Sequence, residues 1–240
     1  MSTLATVTRP RARSVADASR VDRKGQILLA AERLFAQYGF HAVSIRQIAQ
    51  EAQVPLALVG YYFGQKQDLF HAIFAHWSGT IEERMQGLQA VQSQPHTRSK
   101  LQRIVEAFVE PVIRLRASPE GEAYALLMTK GLTPQGDEAD RVVREFFDPM
   151  AEAYISAIHD TLRQEHPQAH VSRGTAAWCY QFSLGALVHH LADARVARLS
   201  HGQCVPNDVQ VQPHLIQFIV HGIRGAVLSF HPPIKKRRLP

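Results

Sequence analysis

Ser44, Arg46, Tyr61, Tyr62 and Lys66 bring three hydroxyls and two cations into one short span of the chain. A serine that opens a helix offers its hydroxyl, free backbone N–H groups and the positive end of the helix dipole, a combination that suits phosphate. Arginine and lysine add charge to such a site, and tyrosine adds a further donor. Between these residues lies V-P-L-A-L-V-G-Y-Y-F-G-Q-K (54–66), which is uncharged from Val54 to Gln65. Nothing comparable supports catalysis. The sequence has no G-x-S-x-G, no phosphate loop, no H-E-x-x-H and no Cys–His pair in a recognisable context, so it reads as a non-enzyme. Of the 13 histidines, His189 and His190 are adjacent and point apart on a helix, which is poor ligand geometry. No metal site and no cofactor is expected.

The elements that must hold these groups are helical. Apolar residues recur at helical spacing almost throughout, and no segment alternates as a strand. A first helix carries Ile27, Leu28, Ala31, Leu34, Phe35 and Tyr38 on one face and stops at Gly39, a natural left-handed cap. Ser44-x-x-Gln47 forms a capping box that starts a second, short helix ending near Ala52. Pro55 is placed as the first residue of a third helix, which Gly64 ends, and a long fourth helix runs from about Lys66 to the break at Ser93. Beyond it the pattern gives a helix with Pro111 inside it, another over about 120–131, a helical stretch over 138–165 that Pro149 kinks or divides, and helices over about 172–197 and 211–230. The last two are apolar nearly all round, which indicates burial on more than one side.

Three short helices with a tight turn between the second and third make a helix-turn-helix pattern. In that arrangement the third helix enters the DNA major groove and the second crosses the backbone. Leu56, Ala57, Gly60 and Tyr61 then face outward, while Leu58, Val59 and Phe63 pack inward. Pro55 opens the recognition segment, and Lys66 is placed to reach the DNA backbone. An apolar outer face reads thymine methyls and DNA shape more readily than it makes bidentate base contacts.

Charge points the same way. The net charge of +6 is concentrated at the ends, with six basic residues against two acids in 1–24 and four basic residues with no acid in 231–240. The residues between are acidic by two charges. Basic arms favour polyanions, nucleic acid above all. A hydrophobic content of 45% and a charged content of 20% suit a soluble globular protein. No run reaches membrane-span length and no export signal opens the chain, so a cytoplasmic location is expected. Cys179 and Cys204 read as unpaired structural thiols.

The run A-V-S-I-R-Q-I-A-Q-E-A-Q-V-P-L-A-L-V-G-Y-Y-F-G-Q-K-Q-D-L-F, with the preceding A-A-E-R-L-F-A-Q-Y-G-F, resembles the DNA-binding segment of the TetR family of transcriptional regulators over about residues 23–75. The resemblance implies phosphate and groove contacts from Ser44, Tyr61, Tyr62 and Lys66, with Arg46 beside them, and a core aromatic at Phe63. It departs at Gln53, where that family usually has glycine, so Gln53 is expected at positive φ. The implied fold is all-α with about nine helices. It comprises a three-helix DNA-binding domain (23–68) and a larger ligand-binding and dimerisation domain (69–230), between a disordered basic arm (1–22) and a basic tail (231–240). By the same resemblance Phe108, Tyr124, Leu127, Met128, Phe147, Met150, Tyr154, Trp178 and Phe182 enclose a mostly apolar effector. Segment 127–155, with R-E-F-F-D-P-M at its centre, is similar to the subgroup that answers to fatty acyl compounds. Ala177, Gln181, Leu184, Gly185, Val188, Ile219, Gly222, Ile223 and Ala226 form a small, apolar stripe through which two helix pairs can meet as a four-helix homodimer interface. The expectation is a ligand-responsive repressor that binds a palindromic operator as a dimer. The alternative is a helical DNA-binding protein with no effector, acting as an architectural factor or constitutive repressor.

Overall fold

The computed structural model describes residues 15–131 and 137–229, and among these there are helices, turns and no strand. Two compact units divide the chain after Phe70.

The first unit contains helix α1 (Val15–Tyr38), α2 (Ile45–Glu51), α3 (Leu56–Phe63) and the start of α4 (Lys66–His76). Helix α1 begins eight residues inside the stretch expected to be a disordered arm; residues 1–14 and the tail 231–240 lie outside the described residues. Ile27, Leu28, Ala31 and Phe35 of α1 are buried against Val43, Ile48, Ala49, Val59, Leu69 and Phe70. Phe35, Phe40 and Phe70 form a ring cluster with centroids 5.0–5.6 Å apart. Such aromatic pairs add to the gain from burial alone. Gly39 ends α1 at φ +82°, and its N–H donates to the Phe35 carbonyl. Tyr38, expected on the inner face of α1, is exposed because it lies in the last turn.

The second unit begins at His71 and continues through α5 (Ser78–Gln92), α6 (Lys100–Ala117) and α7 (Glu122–Gly131). Helix α8 (Asp137–Val142), a π-helical turn (Val143–Phe147) and α9 (Asp148–Glu165) come next. Helix α10 (Arg173–Ala192), the short α11 (Val196–Leu199) and α12 (Gln212–Ser229) complete it. Helix α6 is its centre, with Leu101, Ile104, Val105, Phe108, Val109, Val112 and Ile113 buried and α5, α7, α9 and α12 packed around them. Gly87 lets α5 approach α6 closely, since a Cβ there would lie 3.1 Å from the Cβ of Ala107.

The long fourth helix expected from the sequence is interrupted at Trp77, which leaves helical geometry (φ −97°, ψ 11°) while its ring stacks 5.3 Å from that of Tyr124. Ser78-Gly79-Thr80 follows, three weak helix formers that resist little when the ring takes this position. The division expected around Pro149 takes the form of the π turn. Proline lacks the N–H that would bond four residues back, and its ring clashes with that carbonyl. The helix widens just ahead of it, and the Asp148 N–H reaches the Val143 carbonyl five residues back.

Candidate nucleic-acid interface and ligand core

Ser44 caps α2 as its spacing predicts. The Gln47 N–H donates to Ser44 Oγ at 3.3 Å, and the Ser44 N–H donates to Gln47 Oε1 at 2.8 Å. Ser44 and Arg46 are exposed. Between α2 and α3 the chain turns through Gln53 at φ +55°, a left-handed residue that lets the Val54 N–H reach back to the Ala49 carbonyl at 3.0 Å. Pro55 is the N-cap of α3 and not its first helical residue, with extended ψ of 137° and its carbonyl accepting from the Leu58 N–H.

Helix α3 is strongly two-sided. Val59 is wholly buried and Leu58 and Phe63 half-buried, whereas Leu56 (50% exposed), Ala57, Gly60 and Tyr61 (67% exposed) face out. Tyr62 is half-buried, and its ring lies 5.2 Å from that of Tyr61, edge to face. The outer face therefore presents a leucine, an alanine, a glycine and a tyrosine. Such a surface can approach a groove closely and contact methyl groups.

Lys66 departs from expectation. Its Nζ donates to the carbonyls of Phe40 and Val43, each at 2.8 Å, and lies 4.3 Å from the centre of the Phe40 ring. The ammonium thus closes the loop between α1 and α2. Two strong carbonyl acceptors and an aromatic face outcompete solvent for it.

Seven of the nine residues expected around a ligand converge in the core of the second unit. Phe108, Tyr124, Leu127, Met128, Phe147, Met150 and Tyr154 are each no more than 4% exposed. Trp178 and Phe182 do not join them: 54% and 59% exposed, they stack on each other on the outer face of α10, centroids 5.5 Å apart. They share that face with Gln181 and Gly185, because residues three and four apart lie on one side of a helix. The stripe expected to mediate dimerisation is corrected in turn. Leu184 and Val188 turn inward to line a core cavity, and Ile219 and Ile223 are buried within the subunit. Gln181, Gly185 and Gly222 are exposed, Ala177 and Ala226 half-buried, and Phe218 (71% exposed) joins them. A groove of about 240 Å³ along α10 and α12 is lined by Cys179, Phe182, Phe218, Gly222 and Ala226.

The sequence reading passed over one residue of this core. Arg84 of α5 is 3% exposed, and its guanidinium carbon sits 4.3 Å from the centre of the Phe108 ring. The Tyr154 hydroxyl donates to the Arg84 carbonyl at 2.8 Å, and burial pushes the pKa of that hydroxyl up. Burial also lowers the pKa of Arg84, against an opposing pull from the nearby hydroxyls of Tyr180, Tyr154 and Tyr124. With Val112, Met128, Phe147, Met150 and Leu184, Arg84 lines a small cavity of about 20 Å³, room for about one water molecule. The signal was in the spacing. Arg84 stands three residues after Ile81 and four before Leu88, on the apolar stripe.

Comparisons with known proteins agree with this geometry. Residues 27–73 match the model for bacterial regulatory proteins of the tetR family, and residues 106–222 match the tetracyclin repressor-like C-terminal domain. Together the two matches span more than half of the chain. The chain is 25% identical over 178 residues to the HTH-type transcriptional activator FasR of Mycolicibacterium smegmatis, covering 73% of this chain and 75% of that protein. It is 36% identical over 64 residues to the HTH-type transcriptional regulator HbdR of Aromatoleum sp., 27% of this chain and 28% of that protein. The fold is that of the transcriptional regulator FadR from Bacillus subtilis, solved with stearoyl-CoA, at a TM-score of 0.53 and 16% identity over 82% of this chain and 98% of that one. With a helix-turn-helix unit at one end and a helical C-terminal domain matched beyond it, the chain belongs to the TetR family of DNA-binding transcriptional regulators.

Proposed function

We propose that the protein is a homodimeric repressor that occupies a palindromic operator and is released by a mostly apolar small molecule. The observation that carries the DNA-binding part is the two-sidedness of α3, whose Val59 is wholly buried while Leu56 and Tyr61 stand exposed, together with the exposed, capped start of α2 at Ser44. Leu56, Ala57 and Gly60 would approach base edges, Tyr61 would contact a groove wall or phosphate, and Pro55 would fix the entry angle. Ser44 and Arg46 would hold the phosphate backbone, with the half-buried Tyr62 contributing its hydroxyl. Lys66 serves this reading as a positioning residue that holds the α1–α2 loop and so the N-terminus of α2. A cytoplasmic location follows from the role.

Dimerisation is assigned to the exposed faces of α10 and α12. Trp178, Phe182 and Phe218 are large apolar side chains with more than half of their surface in solvent, and Gln181, Gly185, Gly222 and Ala226 give them a close, flat setting. A two-fold pairing of these faces would present two α3 helices to half-sites 34–36 Å apart or a multiple of that.

The effector would enter the core around Phe108, Met128, Phe147, Met150 and Tyr154. Two features suit a wall that opens: flexible methionines and the π turn that carries Phe147. Helix α4 is covalently continuous with both units, so a ligand that favours one arrangement of the core can bias DNA affinity through it. FasR is named an activator, and the sign of regulation depends on where an operator lies relative to its promoter. A promoter–reporter assay, with and without the gene for this protein, tests the sign. Footprinting with and without C8–C18 acyl compounds tests release; a footprint that no such ligand alters would favour a constitutive DNA-binding protein.

A further inference from the structure

We propose that the effector carries a carboxylate, which the guanidinium of Arg84 receives through Nε and Nη2 inside the core of the second unit. This rests on the effector reading above and narrows it to amphipathic carboxylic acids.

Arg84 Nε and Nη2 are both buried and have no hydrogen-bond partner. These two atoms lie on one edge of the guanidinium, the edge that meets the two oxygens of a carboxylate in parallel N–H···O bonds. The flat face of the same group is already used, against the Phe108 ring. The Tyr154 hydroxyl donates to the Arg84 carbonyl, and its oxygen makes no hydrogen bond to the edge. Among the described residues no carboxylate forms an ion pair with Arg84, and the groups that act on its charge are tyrosine hydroxyls.

A role in stability alone explains this arrangement poorly. An unpaired cation in an apolar core is strongly unfavourable, and an apolar side chain of similar length would fill the space without that penalty. An incoming anion removes the penalty, so the site discriminates for charge. A neutral ester, thioester or alcohol would bring no charge to the fork. The surroundings set the rest of the ligand. Val112, Met128, Phe147, Met150, Leu184 and Leu187 line the cavity beside Arg84, and they call for an apolar body behind a single charged head. Met128 and Met150 can change rotamer to enlarge the space.

The test uses the full chain, titrated calorimetrically with sodium dodecanoate and 4-phenylbutyrate, and with their neutral counterparts dodecan-1-ol and 4-phenylbutan-1-ol. Wild type is expected to bind at least one acid about tenfold or more tightly than its alcohol, as a charge-assisted pair of bonds would give. Arg84→Met is expected to abolish that preference, to bind the alcohol as wild type does, and to melt no lower than wild type. Equal affinity for acid and alcohol in wild type overturns the inference, and this comparison does not depend on the variant folding. An acid preference that survives in Arg84→Met overturns it as well. Binding of the alcohols with no acid preference sinks the carboxylate assignment and leaves the effector reading standing. Failure of all these compounds to bind sinks both.

Discussion

The Nζ of Lys66, the first residue of α4, lies 2.8 Å from the carbonyl oxygen of Phe40 in the loop after α1, with the Phe40 ring 4.3 Å away. This contact ties the start of α4 to the loop that leads into α2, and on the proposed reading Lys66 would act on DNA binding through shape. Lys66→Met keeps the aliphatic stem and removes the charge. It is expected to lower stability by about 1–3 kcal/mol, the range for a charged group's hydrogen bonds to buried carbonyls. Operator affinity should fall with it, while the slope of affinity against salt stays as in wild type. Arg46→Ala should do the reverse, reducing the salt slope by about 0.9 with little change in stability. Urea denaturation and anisotropy titrations at several salt concentrations check both.

Tyr61→Ala and Leu56→Ala should weaken specific binding by about 1 kcal/mol or more each while leaving nonspecific binding nearly unchanged. Both side chains are at least half exposed, so the melting temperature should hold. Competition with unrelated duplex DNA separates the two kinds of binding.

Gln53 holds φ +55°, a conformation that glycine adopts without strain. Gln53→Gly is therefore expected to stabilise the protein by about 0.5–1 kcal/mol, the left-handed penalty less the added entropy of glycine in the unfolded chain. Chemical denaturation measures it directly.

If the proposed dimer pairs through α10 and α12, Phe218→Asp should give a folded monomer. At 71% exposure the ring gives little to its own subunit, so helix content should be retained while light scattering reports half the mass. A dimer unaffected by Phe218→Asp and by Trp178→Asp would move the interface elsewhere.

The two thiols should differ. Burial pushes the Cys179 thiol up to about 11, so at pH 8 only about one part in a thousand is thiolate, whereas Cys204 is exposed. Iodoacetamide should label Cys204 in the folded protein and both residues in urea, as read by peptide mass spectrometry.

How far the sequence reaches can be traced in particular residues. The Ser44-x-x-Gln47 box and the stop at Gly39 were legible because capping geometry depends on neighbours in the chain. The positive φ of Gln53 followed from the family resemblance, which places glycine there. The ring cluster of Phe35, Phe40 and Phe70 was only partly legible, since the half-buried Phe40 lies in a loop where periodicity says nothing. The two carbonyl contacts of Lys66 were not legible, because those acceptors lie more than twenty residues away in the chain. Trp178, Phe182, Leu184 and Val188 were interchanged between core and surface. On helices that are apolar all round, hydrophobicity does not say which side faces in, and packing of α10 against α9, α12 and α7 decides it. Arg84 was legible by position but hidden by type, since charge ordinarily marks a solvated face.

Protection of the DNA upstream of its own coding region, measured by footprinting at low salt with wild type and with the Arg46→Ala/Tyr61→Ala double variant, tests the central assignment most directly. The expected result is two protected half-sites of inverted sequence, centred one helical turn or a multiple apart, that the double variant fails to protect although it remains folded and dimeric. Identical protection by the double variant, or no protected site anywhere, would contradict the assignment of α3 and the Ser44-capped turn as the DNA-reading surface.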